Sequence, residues 1–128
     1  MFTVIRFSTD ADQSEALAKI ATQLLARHSK VLPPRRGVFA VVADILDGGR
    51  WLDHADAIEK FVGEFRELIT WAIGLGFRVN IDTAVYSEDA AVAPVVGLPM
   101  DAKWLSLLGE LGITFEFSLS MLNHHLDS

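Results

Sequence analysis

Two clusters of side chains have the residue types that chemistry needs. The chain closes on "MLNHHLDS", where His124, His125 and Asp127 are of metal-ligand type. Adjacent residues point to different sides of a helix or strand, so His124 and His125 would need irregular backbone to reach one ion. A single-chain centre also needs about three or four protein ligands whose imidazoles are held by hydrogen bonds from behind. His28 and His54 are the only other imidazoles, and the stretch reads as a solvated tail with no metal. The second cluster is Asp44, Asp47 and Asp53 around "DGGRW", where paired carboxylates could do acid and base work. Turn and helix-cap chemistry already accounts for Asp47 and Asp53, so no catalytic residue is assigned.

What is missing narrows the classes further. "DGGR" and "GLGF" lack the G-x-G-x-x-G or G-x-x-x-x-G-K-S/T spacing that wraps backbone amides around a phosphate, and neither G-x-S-x-G nor H-E-x-x-H is present. With no cysteine there is no disulfide, no thiolate nucleophile and no Cys-bound zinc. No cofactor is expected. The 17 acidic and 11 basic residues give a formal charge of −6, whose field repels phosphate and argues against nucleic acid while allowing a basic partner. The opening "MFTVIRFSTDADQ" lacks a basic stretch followed by a long apolar run, and the longest apolar block, Val38 to Ala43, is too short to span a bilayer. These features lead to the expectation of a cytoplasmic protein without membrane contact.

The elements that would position any site follow from periodicity. At 128 residues, 51% apolar and 22% charged, the chain suits one domain with one core. "FTVIRFS" reads as a strand, and Asp12 with Glu15 has capping-box spacing before a helix reaching about His28. "SKVLPPRRG" reads as an extended linker because paired prolines end a helix. Val38 to Leu46 is apolar at both parities and reads as a central strand. Ile58, Phe61, Val62, Phe65, Leu68, Ile69 and Ala72 then mark one long helix, started by Asp53 or Asp56 and closed by Gly76. "FRVNIDTAVY" alternates, with Arg78, Asn80, Asp82 and Tyr86 on its wet face. Ala90 to Leu98 is again apolar at both parities, although Pro94 objects to a central strand. Asp101 caps a short helix ended by Gly112, and "ITFEFSLS" turns Thr114, Glu116 and Ser118 outward.

From Gly37 the order strand, helix, strand, strand, helix, strand is the split-βαβ or ferredoxin-like plan, an α+β sheet with helices on one face. The two doubly apolar segments then fall on its central positions and the two alternating segments on its edges. Residues 2 to 28 extend this sheet as an N-terminal strand-helix unit, its place in the order open. The bare sheet face would carry Arg78, Asn80, Asp82, Tyr86, Thr114, Glu116 and Ser118 around apolar residues of the central strands, the make-up of a binding patch. Trp51, Trp71 and Trp104 fit packing, with Trp51 also suited to a half-wet anchor.

The stretch "LSLLGELGITFEFSLS" after "VGLPMD", with "FTVIRFS" through "LPPRRG" at the start, resembles an uncharacterised family of small bacterial α+β domains of unknown function. In that family a short helix, a glycine and an alternating strand close the chain, commonly on an aspartate and tyrosine where this chain has Ser118, Leu119 and Ser120. The resemblance implies an accessory or immunity-type protein that works by contact and has no activity to carry over. The expected function is therefore a non-enzymatic protein-binding module using the open sheet face. The alternative is a homodimer in which two such faces enclose a small-molecule or catalytic pocket.

Overall fold

Each apolar stripe obliges its element to bury one side against the others. A computed structural model of the chain describes residues 1–86 and 99–120. These form an α+β fold with one five-stranded mixed sheet and four helices. In chain order they are β1 (Phe2–Thr9), α1 (Ser14–Gln23), a 3₁₀ turn (Leu25–Arg27), β2 (Lys30–Arg35), β3 (Val38–Asp47), α2 (Trp51–Glu64), α3 (Arg66–Gly74), β4 (Arg78–Tyr86), α4 (Ala102–Leu111) and β5 (Ile113–Ser120).

The sheet order is β2-β3-β1-β4-β5, antiparallel throughout except for the parallel pair β4 and β5. β1 is the middle strand. Its Ile5 lies between Ala43 and Ile81, and its Phe7 between Val41 and Val79. All six are at most 1% exposed. Leu17 and Ile20 of α1, Ile58 and Phe61 of α2, Ile69 of α3 and Leu108 of α4 join them in one cluster, so the helices share one side of the sheet.

Two expectations about the strands need correction. β4 is not an edge strand, because β5 pairs along its other side. β3 does lie inside the sheet, between β2 and β1, while β1, with the exposed Arg6 on its outer side, holds the middle. A central strand needs apolar residues at both parities only when both faces are covered, and the described helices pack on the inner face alone. The stretch read as a linker contains β2, whose Pro33 and Pro34 are tolerated because the strand is an edge and its register with β3 slips between Leu32 and Arg35. The strand expected over Ala90 to Leu98 lies outside the described residues.

The long helix is divided at Phe65, whose φ of −105° and ψ of 21° leave the α region. Asp53 stands inside the first turn of α2 and accepts the Arg50 N–H at 2.9 Å. The expected box at Asp12 and Glu15 does not form, since Gln13 takes the cap position of α1 without a side-chain cap bond. Asp101 does cap α4, accepting the Trp104 N–H at 2.7 Å, and Gly112 ends that helix at a φ of 76°, which glycine adopts without strain. Asp101→Ala should therefore cost about 1 kcal/mol of unfolding free energy in urea titrations, and Asp12→Ala a few tenths at most. Equal losses would contradict this assignment of caps.

Candidate functional site

Because the helices pack on one side, the outward residues of the five strands form the other face, and strand register places them in rows. One row runs Lys30, Val42, Arg6, Asn80 and Thr114. The next runs Asp44, Val4, Asp82 and Glu116, and a third Phe2, Ala84 and Ser118. With Arg78 opposite Ser8 at the end of the same parity, six of the residues expected on the binding face share it; the side chain of Tyr86 lies outside the described residues.

Most of these six are bonded to neighbours. The amide of Asn80 donates to Glu116 Oε1 at 3.0 Å, and the Ser118 hydroxyl donates to the Asp82 carboxylate at 2.7 Å. Both bonds join β4 to β5, a parallel pair that no tight hairpin could hold together. Arg78 forms a two-pronged pair with Asp10 at 3.0 and 3.1 Å. Hydrogen bonding to Arg78, with its charge, holds the Asp10 carboxyl below its ordinary range and the guanidinium above its own. Val4 and Val42 are half-buried in the middle of the face.

The charges are sorted. Asp44, Asp82 and Glu116 occupy one row, while Arg6, Arg35 and Arg36 line a shallow groove of about 650 Å³ beside β2. Sequence reasoning missed this groove by assigning "PPRRG" to a linker, since Arg36-Gly37 lacks the Asn-Gly or Asp-Gly pair that marks a two-residue hairpin turn.

The inner side holds a buried polar chain that sequence reasoning also missed. His54 is fully buried; its Nε2–H donates to the Gly48 carbonyl at 2.7 Å, since a carbonyl can only accept. Its Nδ1 accepts the Thr3 hydroxyl at 2.7 Å, and Thr3 Oγ1 in turn accepts from Thr83 at 2.7 Å. The signal was in the spacing, because His54, Ile58 and Phe61 fall on one helical stripe. With both nitrogens engaged and no exposure, His54 clasps α2 to β1 and β4 and has no route to a substrate. Trp51, suited by sequence to a half-wet anchor, is 4% exposed; it donates to the Pro99 carbonyl at 2.7 Å and packs edge-on against Trp104.

Asp44 and Asp47 line a small open pocket of about 230 Å³ with Phe2, Thr3 and Leu46, and Asp53 is not part of it. Asp44 faces His28 at 3.1 Å and Asp53 is held at the start of α2. Among the described residues no group of three or more His, Asp or Glu could hold a metal ion, and no helix is long and apolar enough to cross a membrane. His124, His125 and Asp127 lie outside the described residues. No family model, curated protein or solved structure matches the chain.

Burial lowers the pKa of His54 below its ordinary 6.5, against the opposing pull of the Gly48 carbonyl. A depressed histidine pKa means that the unfolded chain binds the proton first. Stability is then fully present above about 6.5 and falls as pH drops below it. As pH falls from about 6.5 toward 5, before most carboxylates titrate, unfolding free energy should decline, and His54→Gln should lose that decline. A parent profile flat over this window would refute the neutral buried assignment.

Proposed function

We propose that the protein is a binding module acting by contact, without catalysis, through the outward face of its sheet. The observation that carries this reading is the one-sided packing: four helices cover one face, and no described helix packs on the other. Half-buried Val4 and Val42 flanked by sorted charge suit a protein partner, with the row Asp44, Asp82 and Glu116 meeting basic groups. The sealed His54 supports the non-enzymatic reading, as the buried titratable side chain is bonded at both nitrogens. We read residues 2–86, with the order β2-β3-β1-β4 and β-α-β-β-α-β connectivity, as the ferredoxin-like plan itself, and α4 with β5 as its extension. The expected extension was at the other end of the chain. A second reading, a homodimer enclosing a small-molecule pocket between two such faces, draws on the same central valines.

Two variants of equal charge change separate face from charge. Asp82→Lys with Glu116→Lys alters the outward face, and Glu59→Lys with Glu110→Lys alters the helical side. In affinity capture from the producing cells, the first pair should lose a partner that the second retains, with both melting as the parent does. Loss in both, or in neither, would contradict the reading.

A further inference from the structure

Three features of the β2-β3 hairpin converge on one groove. Pro33 and Pro34 lack N–H donors, and the register slips between Leu32 and Arg35, so this part of the edge is unsuited to pairing with an added strand. The two-residue turn that follows, Arg36 and Gly37, has positive φ at both positions, 53° and 75°. Asn, Asp or Gly fill such a first position with least strain, yet an arginine stands there. Backbone strain of this kind gathers where a side chain is needed in a fixed place.

The third feature is electrostatic. Arg6, Arg35 and Arg36 line the groove over a floor that includes Leu32, Val38 and Ala40. Arg27 and Arg78 each pair with an acid, at 3.6 and 3.0 Å, whereas these three arginines make no ion pair or hydrogen bond with a described residue. In a chain with 17 acidic and 11 basic residues, acids are in excess, and three neighbouring guanidiniums still pair with none among the described residues.

We propose that this groove docks a short acidic peptide segment of a partner protein, its carboxylates taken by the forked guanidiniums and an aliphatic side chain laid on the apolar floor. Guanidinium geometry matches carboxylates two bonds at a time, and the floor gives an apolar side chain a place that a bare anion would not use. A nucleic acid long enough to leave the groove would meet Asp44, Asp82 and Glu116 on the adjoining row. The site does not depend on the β4 and β5 rows, so it stands or falls apart from the capture experiment above.

The test is fluorescence anisotropy of labelled octapeptides against the full chain at low ionic strength. The alternating glutamate and leucine peptide should bind at one site and weaken with added salt, and the lysine and leucine peptide should not bind. Arg6→Gln and Arg35→Gln should each weaken binding about tenfold. Arg36→Asn should weaken it as well while holding or raising the thermal midpoint, because asparagine accepts the turn geometry; this variant separates binding from folding. The proposal is overturned if both peptides bind alike, if the arginine variants bind as the parent does, or if a single-stranded oligonucleotide binds more tightly than the acidic peptide.

Discussion

Everything else in the molecule depends on β1 being paired along both edges. Seven consecutive residues, Phe2 to Ser8, pair with β3 on one side, across a register shift between Thr3 and Val4, and with β4 on the other, so the strand nearest the start of the chain joins segments that follow it by about forty and eighty positions. Such distant pairings carry the loop-closure cost of the whole fold, and burial of Ile5 and Phe7 with their four neighbours offsets it. Thr3 extends the same role into polar chemistry. It ties β1 to β4 through Thr83 and to α2 through His54, so the buried hydroxyls and imidazole satisfy one another.

That arrangement decides where function can lie. On the helical side Trp51 and Trp104 donate to the backbone carbonyls of Pro99 and Ala55, and His54 is bonded at both nitrogens. The outward side is held together differently, by surface bonds from β4 to β5 and by the pair of Arg78 with Asp10. Exposed bonds of this kind contribute little stability each, but they fix which charges stand together. The face is therefore ordered, and no described helix packs on it.

The element types were largely legible in the sequence because apolar spacing is a local property. The alternation from Arg78 to Tyr86 gave a strand at the right place, and the stripe from Ile58 to Ala72 gave helix where two helices meet at Phe65. Strand order is not local. Apolar residues at both parities in Val38 to Leu46 suggested an interior position, which β3 has, whereas β1, with Arg6 standing outward, gave no sign of holding the middle. The prolines of β2 hid a strand because proline is excluded from interior ladders and allowed at edges, and the sequence does not say which applies. Outward residues of β4 and β5 followed from parity alone, whereas their mutual bonds, and the gathering of Arg6 with Arg35 and Arg36, needed the register of strands far apart in the chain.

The most direct test of a free outward face is the native mass of untagged protein by light scattering across micromolar concentrations. The account predicts one species near 14.1 kDa throughout. A stable dimer of twice that mass, with the outward face protected from hydrogen exchange, would contradict it, because the surface assigned to a partner would already be occupied by a second copy of the chain.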